Sequence, residues 1–543
     1  MKLYKISFIA LAGLMTLASC SDIDEMEPAS GSITEDQVKT SKDMIPARAE
    51  ASFSSMFNMM GQPNGVFNRS SSRADDFGFI TQAISCDCEG PDYIYDDSGY
   101  NWFSVCGEYS SRNANYANPY IRYATPYNQI KMANDLIREN KEATDSVGKN
   151  MCAQAHAIRA FDYLALVQYF QFNYQIAKDK PAVPIVTEET PDDQLSNNPR
   201  ATVEAVFKLI MEDLTYAINN LDNKRANKTR VNQQVAYGLR ARANLIMGNW
   251  ADAAADADKA MAGYEPAAIT GPAFCDINEP NWIWGIEITQ NMTIGTNYAY
   301  ATSSSWLSSF SGDGYAAATA CYAMINSLLW NKIPATDVRK GWWVDEDLHS
   351  PLLANESWGD AQGDEICTLE IDDVKLPFTP YANVKFGMKD GIGSTNNIND
   401  YPLMRVEEMI LIKAEGLAKS GQDGEARNLL ESFVKTYRDP EYSAAAGGRS
   451  LADEIWYQRR VELWGEGFAM SDIMRLQKPV VRFHDDTNNQ PTAFRFNIPA
   501  DDPWLLMRFC DTETNTNAGI IDNSGSHQPE QDQYPNLRDG VTD

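Results

Sequence analysis

The sequence is poor in the residues that carry most enzyme chemistry. Four histidines, His156, His349, His484 and His527, are scattered over 543 residues. HExxH, GxSxG, P-loop and GxGxxG patterns are absent, so the usual signatures of zinc proteases, serine hydrolases and nucleotide binders are missing. Basic charge is scarce too: 46 Lys and Arg face 75 Asp and Glu, for a net charge of −29. Such a field repels nucleic acid and anionic headgroups and disfavours polyanionic ligands. After the N-terminus no apolar run is long enough to span a bilayer. Nine cysteines, loosely spaced, do not make a dense disulfide framework. Cys86-Asp87-Cys88 has no His nearby, which argues against zinc, and free buried thiols are expected. The 75 acidic side chains leave a catalytic carboxylate pair open, but the strand-helix alternation usual in glycosidases is missing. No cofactor is implied.

What is present begins with a targeting segment. Lys2 and Lys5 precede an apolar run, Ile6 to Leu17. As a helix this run spans about 18 Å, short of a roughly 30 Å hydrocarbon core, so it reads as a cleaved signal over residues 1–19. Leu17-Ala18-Ser19-Cys20 resembles the bacterial lipobox, which makes Cys20 the expected lipidation site and first mature residue. The acidic tether over 20–33 resembles a surface-export signal.

A single large domain is expected over 34–543, mostly α, with tetratricopeptide-like helical repeats, loop-rich insertions and short strands. Helix is expected over about 34–60, 120–263 and 404–477. Thr34 to Gln37 form a capping-box pattern. The cleanest period is "ATVEAVFKLIMEDLTYAINNL", where Val203, Val206, Phe207, Ile210, Leu214, Ala217 and Ile218 share one stripe and Thr202 is the expected cap. The stretch from Val231 to Tyr264 predicts two helices broken at Gly248-Asn249. Val406 to Tyr437 predicts a pair turning at Gly421, and the stretch after Ser450 predicts a helix to Gln477. Residues 61–118 and 270–400 lose the helical period and read as inserts, with "WIWGIEIT" a short strand. The tail 480–543 is polar. Repeat scaffolds carry insertions on one face, often the binding face.

Four blocks in order, behind the lipobox, resemble the SusD/RagB family of outer-membrane lipoproteins. They are "AQAHAIRAFDYLALVQYF" before Val183-Pro184, "VFKLIMEDLTYAINNL" through "ADAAADADKAM", "YPLMRVEEMILIKAEGLAKSG", and "IWYQRRVELWGEGFAMSDIMRLQ". The last holds Arg459-Arg460, Glu462 and Glu466-Gly467. The resemblance implies a cell-surface, non-enzymatic protein that captures nutrient as a lid over a SusC-like TonB-dependent transporter. Most of the family takes oligosaccharides, and a RagB-like minority takes oligopeptides. A secreted hydrolase and a structural surface protein are the competing readings.

Ligand contacts are expected where aromatics crowd a polar loop. "PDYIYDDSGYNWF" offers Asp92, Tyr100, Asn101 and Trp102; "SSSWLSSFSGDGY" offers Trp306 and Tyr315. Flat rings pack on the C–H face of a sugar, and carboxylates and amides meet its hydroxyls. The same rings also serve to pin a long loop to its scaffold. Trp342-Trp343, beside Asp337 and Arg339, and Trp456 and Trp464 read as core. Aspartates of "YIYDDSG" match no EF-hand, so solvated loop charges are expected there rather than calcium.

Overall fold

The computed structural model describes residues 46–67, 73–96, 101–293, 302–485 and 488–543. The chain divides into two compact units, residues 1–53 and 54–543. Of the first, the described part is the start of helix α1 (Pro46–Asn58); all that follows concerns the second. The signal segment, Cys20, the tether and the capping box at Thr34 lie outside the described residues.

The long helices form where the apolar period and the caps coincide. They are α2 (Phe79–Glu89), α3 (Ala117–Asn140), α4 (Ser146–Phe170), α5 (Val203–Asn220), α6 (Gln233–Met247) and α7 (Trp250–Ala260), then α8 (Val406–Lys419), α9 (Asp423–Tyr437), α10 (Leu451–Glu462) and α11 (Ala469–Leu476). Asp145 accepts from the N–H groups of Val147 and Gly148 at the start of α4, Thr202 from Ala205 at α5, and Asn232 from Val235 at α6. Each satisfies amides that a helix start leaves open. The stripe of α5 is buried from Val203 to Ile218. Gly248 ends α6 at φ +81°, a left-handed conformation that costs a side-chain-bearing residue energy.

Each helix packs on the next: α3 on α4, α4 on α5, α5 on α6, and α6 on α7. The series then jumps. Helix α7 packs on α8, and α8 on both α9 and α10, so the repeat stack continues across the insert as if it were absent. Gly416 makes the α7–α8 contact close: a Cβ there would sit 2.5 Å from the Trp250 carbonyl oxygen.

Strands are few and short. β1 (Tyr93–Ile94) pairs with β3 (Met324–Ile325), β2 (Trp282–Ile286) with β6 (Tyr401–Arg405), and β4 (Ser357–Trp358) with β5 (Ala361–Gln362), all antiparallel. The β2–β6 pair closes the two ends of the insert on each other, with Trp282 and Trp284 fully buried. Three expectations need correction. Residues 401–405 are strand, because β2 offers their backbone a partner just before α8 begins. The helix expected over 450–477 is two, α10 and α11, separated where Gly465 and Gly467 take φ +81° and +84°. Residues 61–118 are not all loop: α2 runs through them, buried from Ile80 to Glu89.

Where α8 and α10 meet the insert, four cations and four carboxylates are buried together. Arg405 reaches Glu407, Glu462 and Glu466; Arg438 reaches Glu407 and Glu462; Arg339 reaches Asp337 and Glu462; Lys385 reaches Glu466. Full desolvation is tolerable here because every charge has an opposite neighbour.

Candidate functional site

The ring cluster is assembled by three segments that the sequence separates: Phe67 with Arg73–Ala74, Asn101–Phe103, and Trp306–Tyr315. Trp306 is its fixed point. The side chain is fully buried. Its Nε1 donates to the Ala74 carbonyl at 3.1 Å, and its own carbonyl accepts from the Tyr95 hydroxyl at 2.9 Å. Phe103 meets it edge-on at 5.0 Å. On it lies Tyr315, centroids 4.2 Å apart and planes within 5°. Tyr315 is only half-buried, so the phenol is a partly open ring backed by a rigid indole.

The segment carrying Tyr315 is stiff. Ser305 Oγ accepts from the Tyr315 N–H, Ser311 Oγ donates to Asn397 Oδ1, and Asn397 Nδ2 donates to the Asp313 carbonyl. Gly312 passes so close to Gly393 that a Cβ would lie 2.1 Å from its carbonyl oxygen. Two residues before Tyr315, the Asp313 carboxylate is exposed, and desolvation by its surroundings lifts it above the ordinary value.

Trp102 is half-buried. The Arg73 guanidinium lies 5.0 Å from its ring centroid and 5.7 Å from that of Phe67. Arg73 is itself held by a two-point ion pair to Asp75, 2.8 and 2.9 Å. Burial raises the Asp75 carboxyl, and Arg73 offsets this in part. Since Trp306 bonds the carbonyl of Ala74, next to Arg73, the Trp102 and Tyr315 arms share one anchor.

The residues expected from sequence therefore take different places. Trp102 and Tyr315 keep open surface. Asn101 is buried; its Nδ2 donates to the Asp96 carbonyl at 2.6 Å and its Oδ1 accepts from the Phe103 N–H at 3.0 Å, so it shapes the turn that presents Trp102. Trp306 supports Tyr315 from beneath. Asp92 is buried against Arg460, 2.6 and 2.7 Å from two guanidinium nitrogens, while its carbonyl accepts from Trp464 Nε1. Its carboxylate pins the loop to α10. Tyr100 lies outside the described residues. Phe67, Arg73 and Asp313 were not singled out by sequence, because nothing in a polar loop tells an arginine that will lie on a ring from one in solvent. Among the described residues no group of three His, Cys, Asp or Glu side chains is placed to hold a metal ion.

A family described as "Starch-binding associating with outer membrane" matches residues 81–245, and the SusD family matches residues 375–526. Solved structures share the fold over almost their whole length. A SusD-like carbohydrate-binding protein from Bacteroides vulgatus is 21% identical, with TM-score 0.70, covering 89% of this chain and 98% of its own. A SusD superfamily protein from Bacteroides thetaiotaomicron is 19% identical, with TM-score 0.66 and coverage of 88% and 99%. A laminarin-binding SusD-like protein is 16% identical, with TM-score 0.59 and coverage of 88% and 99%. No curated protein matches.

Proposed function

This chain belongs to the SusD/RagB family, and from that premise we propose that it binds oligosaccharides at the Trp102–Tyr315 cluster. The observation that carries the reading is Tyr315 lying flat on the buried Trp306. A ring already held by stacking loses little freedom when a pyranose face packs on it. Trp102, braced by Arg73, offers a second face, and Asp313 offers an acceptor for sugar hydroxyls. Support also comes from the carbohydrate-binding and laminarin-binding descriptions of two structural relatives. Nothing in the cluster performs bond cleavage in this reading; the protein captures and releases.

The cellular role follows from the lipobox and the family. Cys20 is acylated after removal of residues 1–19, and two or three acyl chains hold the protein at the outer membrane, each buried CH₂ adding about 0.8 kcal/mol. There it serves as a lid that hands ligand to a SusC-like TonB-dependent transporter. Mass spectrometry of the mature N-terminus should find a lipidated Cys20, and mild detergent extraction should recover a large β-barrel partner.

Calorimetry against oligosaccharides and a mixed peptide pool tests the ligand class. Heat from sugars, lost in Tyr315→Ala, is the expected result. Heat from peptides alone would move the assignment to a RagB-like oligopeptide binder.

A further inference from the structure

The ring cluster does not end at Trp102. The Arg73 guanidinium that lies on Trp102 also lies on Phe67. Phe67 in turn meets Tyr120 edge-on, centroids 5.3 Å apart with planes at 61°. Tyr120 stands in the first turn of α3. One turn earlier is Tyr116, the residue before the helix, whose carbonyl accepts from the Tyr120 N–H at 3.4 Å. Residues four apart at a helix start are neighbours on its surface. Trp102, Phe67, Tyr120 and Tyr116 thus follow one another in space.

Buried groups hold this path in place. The Asp76 carboxylate accepts from the N–H groups of Val66 at 3.1 Å and Phe67 at 2.9 Å, and its carbonyl accepts from the Asn64 N–H at 2.7 Å. Asp76 is fully buried, so the turn carrying Phe67 is fixed. At the start of α3 the Ala114 carbonyl accepts from the Asp511 N–H at 2.9 Å, and Arg122 is paired with Glu89 at 2.7 Å.

The two tyrosines leave their hydroxyls open. Elsewhere in the chain buried phenols are used: Tyr109, Tyr127 and Tyr163 donate to the carbonyls of Glu89, Pro184 and Val186, as burial requires. Tyr120 is half-buried and Tyr116 is 44% exposed. Among the described residues neither hydroxyl has a hydrogen-bond partner, and that of Tyr120 is not sealed from solvent. Asn113 and Asn115, close to Tyr116 in the chain, are exposed amides. Arg73, the cation on this path, is neutralised by Asp75, so it does not offset the repulsion of an anionic chain by a protein of net charge −29.

Resting on the sugar-binding reading above, we propose that Phe67, Tyr120 and Tyr116 extend the site into further subsites for a long, neutral oligosaccharide. Successive rings pack on sugar faces, and the open phenol hydroxyls and the two amides bond sugar hydroxyls. A disaccharide held at Trp102 and Tyr315 leaves the extension empty, and a longer chain fills it.

Calorimetry of the full chain with malto-, laminari-, xylo- and manno-oligosaccharides, each as disaccharide and hexasaccharide, tests this. A hexasaccharide bound about tenfold or more tighter than its disaccharide is the expected result, a gain of about 1.4 kcal/mol. In Tyr116→Ala and in Tyr120→Phe that ratio should fall about three- to tenfold, the size of a lost ring contact or hydrogen bond. The first variant changes an exposed side chain and the second keeps its ring, so both should melt as the parent does. A ratio near one, or a ratio unchanged in both variants while Tyr315→Ala abolishes binding, would overturn the extension alone. Heat that survives Tyr315→Ala, or no heat from any sugar, would overturn the sugar site and the extension with it. Oligogalacturonate bound more tightly than the neutral chains would overturn the neutral assignment.

Discussion

At the scale of single residues, burial separates a ring that supports from a ring that contacts. Trp306 is covered on all sides, and Trp306→Ala should cost about 3–5 kcal/mol in urea unfolding. Trp102 keeps open surface, so Trp102→Ala should cost about 1 kcal/mol or less of stability. Its loss should appear in ligand binding instead, at about 2 kcal/mol, a roughly thirtyfold rise in Kd. Equal destabilisation by both variants would place Trp102 in the core. Protonation adds a second residue-scale effect. Burial pushes the carboxyls of Asp76 to about 6 and Asp87 to about 7, from an ordinary 3.8. Between those values the folded state holds protons that the unfolded chain has released, so stability falls as pH rises from about 4 to about 7. His156 acts in the same direction. Burial pulls its imidazole down, but the hydrogen bonds to Asp213 and Cys152 and the charge of Asp213 together outweigh this and leave it above 6.5, so its contribution fades as pH climbs above that value. The urea midpoint should therefore be higher at pH 5.5 than at pH 8, and Asp87→Asn should reduce that difference. A midpoint rising over this interval would contradict the assignment.

At the scale of elements, small residues set how closely the helices approach. Gly416 faces Trp250 and Ala254 across the α7–α8 contact, and any Cβ there must push the two helices apart. Gly416→Ala should cost about 1–3 kcal/mol by overpacking, although alanine is the better helix former. Circular dichroism should show unchanged helix content with a lowered melting temperature. Stabilisation would mean that the contact is looser than described. The stripe of α5 makes the complementary case: Ile210 is fully buried, and Ile210→Asp would bury a charge at a cost of several kcal/mol.

At the scale of the molecule, the buried ion network ties the repeats to the insert. Glu462 is shared by Arg339, Arg405 and Arg438. Glu462→Gln would leave four buried cations with three carboxylates, Asp337, Glu407 and Glu466, with an expected loss of about 3–5 kcal/mol. Loss of a single cooperative unfolding transition should accompany it, because the same carboxylate holds both parts. The long helices were legible in sequence, since an apolar period and a capping residue act within one or two turns: Thr202 and Ser450 each accept from the amide three residues on. The families of blocks and the mostly helical class follow from such local signals. Other features are long-range and have no local trace. Residues 401–405 became strand only because β2, more than a hundred residues earlier, lies beside them. The break between α10 and α11 has a local cause in Gly465 and Gly467, but its use, sending Glu466 to Arg405 and Lys385, depends on the fold. The ring cluster divides the same way. Sequence by itself determined that aromatics crowd two polar loops, because composition is local. Only the tertiary structure decided that Asp92 serves Arg460, that Trp306 lies beneath Tyr315, and that Arg73 braces Trp102, because burial and charge pairing depend on which distant segments the packed core brings together.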